Sequence, residues 1–139
     1  MAEITLLLGS NLGDRERNIR SALNLLDIAL GAQLSASSPI IPTEACGFEG
    51  PEFLNCIVKY KTLKRPRTVL SVCKNIEKAL GRSDTPEYDA EGRRVYHDRI
   101  IDIDILYYGN LKMESPELTI PHPQIQTRSF VLELLDSVR

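Results

Sequence analysis

The stretch Ile100-Ile101-Asp102-Ile103-Asp104-Ile105-Leu106-Tyr107 decides how this chain folds. In a strand, successive side chains point to opposite faces, so Ile101, Ile103 and Ile105 share one face while Asp102 and Asp104 share the other, their Cα atoms about 6.6 Å apart. Ile100, Leu106 and Tyr108 are expected on the aspartate side. The reading is a sheet with one face on a core and, on the other, an acidic notch in a partly apolar surface.

Working outward, Ile4 to Leu8 is a short apolar run followed by Gly9-Ser10-Asn11-Leu12-Gly13-Asp14, a buried strand ending in a turn. From Arg15 the apolar positions Ile19, Ala22, Leu23, Leu26, Ala29 and Leu30 recur at three and four, with Asp14 as N-cap and Gly31 as stop. A weaker strand covers about Gln33 to Ser38. Pro39, Pro42, Gly47, Gly50 and Pro51 then mark a long loop. Phe53 to Leu63 reads as a strand by composition. Pro66 opens a second helix, in which Val69, Cys73, Ile76 and Leu80 repeat before Gly81. Arg82 to Asp98 is polar and without period, a second long loop. After Tyr107 a turn leads to a short segment around Lys112 and Met113, and Pro116, Pro121 and Pro123 exclude a long element there. A last helix from about Gln126 uses Phe130, Val131, Leu134, Leu135 and Val138.

The order strand, helix, strand, strand, helix, strand predicts an α+β fold. It is a ferredoxin-like split βαβ (βαββαβ) antiparallel sheet with helices on one face and a short C-terminal extension. Residues 1–139 form a single domain, since 139 residues with 42% hydrophobic content suit one core. A formal net charge of -2 argues against a surface devoted to nucleic acid or anionic lipid. No apolar run reaches the roughly 18 to 20 residues of a membrane helix. The start, Met-Ala-Glu, lacks signal-peptide character, so a cytoplasmic location is expected. Cys46, Cys56 and Cys73 fit reduced thiols, with Cys56 and Cys73 buried as small hydrophobes. A zinc site is not expected from His97 and His122 alone.

Asp102 and Asp104 are hard oxygen donors, suited to Mg²⁺ that completes its shell with waters and substrate phosphate. On spacing alone, a solvated strand face is the plainer reading. Arg82, Arg93, Arg94 and Arg99 lie before the pair with Tyr96 and His97, and His122 and Arg128 lie after it. Guanidinium groups recognise phosphate through forked donors, and a metal-bound triphosphate satisfies acids and bases together. Mutual pairing of surface charges is the alternative. No P-loop, G-x-G-x-x-G or protein-kinase motif is present, and Gly9 to Asp14 reads as turn chemistry. Phe53 and Asn55 share a strand face, a ring beside an amide that could match a flat heterocycle. Taken alone, both read as a core ring and a loop-bonding amide.

Together, Leu8-Gly9-Ser10-Asn11-Leu12-Gly13-Asp14-Arg15, Gly47-Phe48 leading to Phe53-Leu54-Asn55, Ile76-Glu77 to Gly81-Arg82, Arg99 to Leu106, and Thr119-Ile120-Pro121-His122-Pro123 leading to Arg128-Ser129-Phe130-Val131-Leu132 form an ordered set. Over roughly Ile4 to Leu135 the chain resembles the 6-hydroxymethyl-7,8-dihydropterin pyrophosphokinases of folate biosynthesis. The resemblance implies a transferase that moves pyrophosphate from ATP, its co-substrate, to 6-hydroxymethyl-7,8-dihydropterin and releases AMP. It implies two Mg²⁺ ions on Asp102 and Asp104, with Arg82 and Arg99 closing over the phosphates; these four are the implied catalytic set. Glu77, Arg82, Arg99, Ile105, Thr119, His122 and Arg128 match nucleotide contacts. Phe53, Asn55, Tyr96 and Phe130 match the pterin pocket, with Thr43 and Cys46 contributing mainly through their backbone.

The chain departs from the family pattern at the lid, where Tyr96-His97-Asp98-Arg99 replaces a tryptophan and Gly-Pro-Arg, and at Glu44-Ala45 and Pro123. ATP and the pterin are the expected partners, with no nucleic acid and no membrane, and a monomer is expected. Two rivals remain open: an RNA-binding module, which the absence of aromatic strand motifs disfavours, and a non-catalytic nucleotide-binding regulatory domain of the same fold.

Overall fold

The computed structural model describes residues 1–31, 34–43, 52–81, 87–88, 90–92, 94–95 and 100–138, with the backbone alone at 87, 88, 94 and 95. Four segments build the main sheet. They are β1 (Ala2–Ser10), β2 (Leu34–Ser37) with its continuation β3 (Ile41–Thr43), β4 (Phe53–Thr62) and the strand Asp102–Tyr108. The last is β7, because β5 (Glu87–Tyr88) and β6 (Arg94–Val95) form a small hairpin before it. The order is β2-β4-β1-β7, with β3 also on β4 and all pairings antiparallel. This is the expected split βαβ arrangement.

The helices α1 (Arg15–Leu30) and α2 (Pro66–Ala79) start and stop where local chemistry dictates. Asp14 accepts from the Arg17 N–H at 3.1 Å. Gly31 sits at φ 62, a left-handed position that favours glycine, and Pro66 is at the start of α2. Both helices cover one face of the sheet, where Ile19, Ala22 and Leu26 meet Leu6, Leu8, Val58 and Ile103. The C-terminal extension covers part of the other face. There a 3₁₀ turn (Pro123–Ile125) and α3 (Ser129–Ser137) bring Ile125, Val131, Leu134 and Leu135 against Leu7, Ile57 and Leu106. β1 is therefore buried on both sides, which is why Ile4 to Leu8 is an apolar run rather than an alternation.

Several boundaries differ from the sequence reading. Part of the first long loop is strand β3, with Pro42 opposite Leu54 on the outer side of β4, a place that tolerates a residue lacking an N–H. The second loop contains the β5–β6 hairpin, too short to show a period. The last helix begins at Ser129, because Pro123 starts a separate turn of 3₁₀ helix. Tyr108 does not share the aspartate face. The register with β1 shifts between Thr5 and Leu6, so Leu6 pairs Ile105 while Thr5 pairs Tyr107. This bulge returns Tyr108 to the helix side, where its hydroxyl donates to the Lys64 carbonyl at 2.6 Å.

Candidate active site

Two rows of side chains cross the sheet on the face opposite α1 and α2. Leu7 pairs with Ile57 on one flank and Asp104 on the other, and Gly9 pairs with Asn55 and Asp102. Directly paired residues share a face, so Asn55 and Asp102 stand on either side of Gly9, two strand spacings or about 10 Å apart. Gly9 has no side chain, and Asn55 and Phe53 lie close over its backbone. A Cβ there would come within 2.5 Å of Asn55 Oδ1 and 3.3 Å of Phe53 Cδ1. Gly9 and Ser10 thus belong to β1 rather than to the turn in which the sequence reading placed them.

Asn55 is buried, and its amide nitrogen donates to Thr43 Oγ1 at 2.5 Å. Thr43 therefore meets its neighbour through its hydroxyl, although the resemblance implies a backbone role. Arg15 Nη1 donates to the Glu52 carbonyl at 2.8 Å, anchoring the residue before Phe53 to the start of α1. Asn18 ties down the turn after β1 by donating to the Leu12 carbonyl at 2.8 Å and to Ser10 Oγ at 3.2 Å.

A cleft of about 450 Å³ opens beside these rows. Phe53, Asp102, Asp104 and Ile105 line it from the sheet, and Glu77 from α2. Thr119, His122 and Arg128 enter from the carboxyl-terminal part of the chain. Residues far apart in sequence are thus brought to one cavity. Thr43 and Asn55 lie next to the cleft through Phe53, their neighbour on β3 and β4. Phe130 lies beneath Arg128, whose guanidinium carbon is 5.0 Å from the ring centroid. Cys46, Arg82, Tyr96 and Arg99 lie outside the described residues.

The polar groups of the cleft are held in place. Arg128 Nη1 donates to Gln124 Oε1 at 3.1 Å. The Gln124 N–H donates to His122 Nδ1 at 3.1 Å, so the neutral imidazole carries its proton on Nε2. Burial, and then the Arg128 guanidinium, push the His122 pKa below its ordinary range, against a weaker pull upward from Asp102. Glu77 is buried, and its Oε2 accepts from the Ile103 N–H at 2.8 Å, which satisfies a donor on the outer edge of β7. Glu77 thereby fixes the strand that carries both aspartates.

Asp102 and Asp104 supply two hard carboxylates on one face, and no cluster of three or more metal-ligating side chains occurs among the described residues. Such a donor set fits a divalent cation that takes its other ligands from water and substrate oxygens. Lys74 and Gln124 also line the cleft and were not picked out from the sequence. Lys74 stands one helical turn before Glu77 on α2, a spacing that could have flagged it. Gly9 had a signal too, as a glycine directly after an apolar strand run.

Comparison with known proteins places the chain in a family. The sequence profile described as 7,8-dihydro-6-hydroxymethylpterin-pyrophosphokinase matches residues 5–139. The 2-amino-4-hydroxy-6-hydroxymethyldihydropteridine pyrophosphokinase of Porphyromonas gingivalis is 42% identical over 140 residues, covering 99% of this chain and 91% of that protein. The enzyme of the same name from Bacillus subtilis is 34% identical over 132 residues, covering 94% and 74%. A mitochondrial folate synthesis bifunctional protein of Pisum sativum is 39% identical over 135 residues, and there this chain matches 24% of the longer protein. A βαββαβ sheet, two aspartates on one strand face and these relatives lead to one conclusion: the chain belongs to the 7,8-dihydro-6-hydroxymethylpterin pyrophosphokinase family, enzymes that transfer pyrophosphate from ATP to hydroxymethyldihydropterin in folate biosynthesis.

Proposed function

We propose that the pterin binds against Phe53 and Asn55, with its hydroxymethyl directed toward Asp102, and that ATP occupies the cleft between α2 and the segment carrying Thr119 and His122. The observation that carries this reading is the row Asn55, Gly9, Asp102 across one face of the sheet, with Phe53 and Asn55 packed close over the glycine. A ring held against Phe53 and Asn55 would have the carboxylates across Gly9, at the reacting end. Asn55 presents an amide fixed by Thr43 to the ring edge, so little ordering is required when the ligand binds.

Asp102 and Asp104 would hold Mg²⁺, which when bound would offset phosphate charge and favour loss of the alcohol proton. The remaining work belongs to the chain. The site must hold the triphosphate so that the β-phosphorus, not the γ, meets the hydroxymethyl oxygen. His122, neutral with Nε2–H, can donate to a phosphate oxygen without adding a proton that could be lost to the leaving group. Arg128, with Arg82 and Arg99 as the resemblance implies, would balance charge as the bond to the α-phosphate oxygen breaks. No side chain of the described site is placed as a general base.

The test is calorimetry with each ligand. Asn55→Ala should weaken the pterin and spare an ATP analogue, whereas Arg128→Ala should do the reverse. Equal losses for both ligands in both variants would show that these residues only support the fold.

A further inference from the structure

The cleft has two walls from different parts of the chain. Lys74 and Glu77 stand on α2, while Thr119 lies on the hairpin of β8 (Met113–Glu114) and β9 (Thr119–Ile120), just before His122. On the inner side the walls share a core, in which Leu118 and Ile120 join Val69 and Cys73. Toward solvent an ion pair joins them, in which Arg67 Nη1 donates to Glu117 Oε2 at 3.0 Å across 50 residues of sequence.

The hairpin tip is prepared for this pair. The Ser115 N–H donates to the Leu118 carbonyl at 3.0 Å, and the Leu118 N–H donates to Ser115 Oγ at 3.2 Å. The Ser115 hydroxyl is also 3.1 Å from Glu117 Oε2. The carboxylate is thus fixed from its own turn before α2 engages it. Hydrogen bonding from Arg67, and then from the backbone and Ser115, holds the Glu117 carboxyl below its ordinary range, so it stays charged at neutral pH. The Arg67 and Glu117 side chains are 62% and 58% exposed, and pairs of that kind contribute little to folding. Glu117 itself lines the cleft.

We propose that the Arg67–Glu117 pair is a positioning device for ATP, setting the spacing between the hairpin wall and the α2 wall. The inference rests on the reading that the nucleotide lies between those walls. Without the pair the hairpin tip keeps its inner packing but loses this outer tie, and the binding-competent spacing is populated for part of the time. A wall correctly placed for about a tenth to a third of the time raises the KM for ATP about three- to tenfold, because apparent affinity falls with the competent fraction.

Steady-state kinetics of Arg67→Ala, Glu117→Ala and the charge-swapped R67E/E117R protein test this, alongside Lys74→Ala. Both single variants should raise the KM for ATP while kcat, the KM for the pterin and Tm stay close to their original values. The swap should recover most of the ATP affinity. An unchanged KM in both single variants overturns the proposal. A rise in Glu117→Ala alone also overturns it, since the carboxylate would then act on the nucleotide directly, and so does a folded swap with no recovery. Lys74→Ala separates the two levels: an unaltered KM for ATP there removes the placement of the nucleotide itself, whatever Glu117 does.

Discussion

Asn55 and Asp102 face one another across Gly9, on the two strands that flank β1. One is an amide anchored by Thr43 and the other a carboxylate lining the cleft, and the residue between them contributes no side chain. This relationship couples the ring-binding side of the site to the phosphate side through a single missing side chain.

Gly9→Ala should therefore damage pterin binding more than ATP binding. The added methyl meets Asn55 Oδ1 at 2.5 Å, and relief requires Asn55 or Phe53 to move. Overpacking of this kind costs about 1–3 kcal/mol. Titration calorimetry should show a pterin Kd raised about 5- to 100-fold, with ATP-analogue binding within about twofold.

Asp102→Asn and Asp104→Asn keep shape but remove an anionic ligand each. Both should lose most pyrophosphoryl transfer at ordinary Mg²⁺ while circular dichroism and Tm remain close to those of the parent. Near-normal AMP release from either variant would exclude the metal assignment.

Asn55→Ala should weaken the pterin by about 1–3 kcal/mol, the cost of leaving paired polar edges of the ligand unmatched. Thr43→Val should produce a smaller loss of the same kind, because it removes the hydroxyl that orients the amide. Competition binding against a fluorescent pterin reads both effects.

His122 provides a test by pH. Its folded-state pKa lies below the ordinary 6.5, so between that depressed value and about 6.5 the unfolded chain binds the proton first. Stability linked to His122 is thus lost as pH falls through this window and is restored above it. In the protein without ligands, NMR of the imidazole should give a midpoint below 6.5. Arg128→Ala should raise that midpoint, and Asp102→Asn should lower it further, because the two charges act in opposite directions.

Cys56 and Cys73 should resist thiol reagents. Both are fully or almost fully buried, and burial pushes their thiols up to about 11 and about 12. Labelling followed by mass spectrometry should find both thiols unmodified in the native protein and reactive in urea.

The sequence alone determined the parts of the fold that depend on near neighbours. Period two in Ile101 to Ile105 and spacings of three and four in Ile19 to Leu30 and Val69 to Leu80 are local records of which face meets a core. Asp14, Gly31 and Pro66 mark helix ends through bonds that stay within a turn. The aspartate pair was legible for the same reason, and the ordered motifs carried the family. Tertiary structure decided what depends on register between distant strands. It placed Gly9 between Asn55 and Asp102, moved Tyr108 to the helix face by one bulged residue, buried Glu77 against the Ile103 N–H and joined Arg67 to Glu117. Side-chain period within one strand cannot reveal these, because each arises from which residue of another segment comes to lie opposite, a choice made by packing the whole sheet between its two apolar clusters.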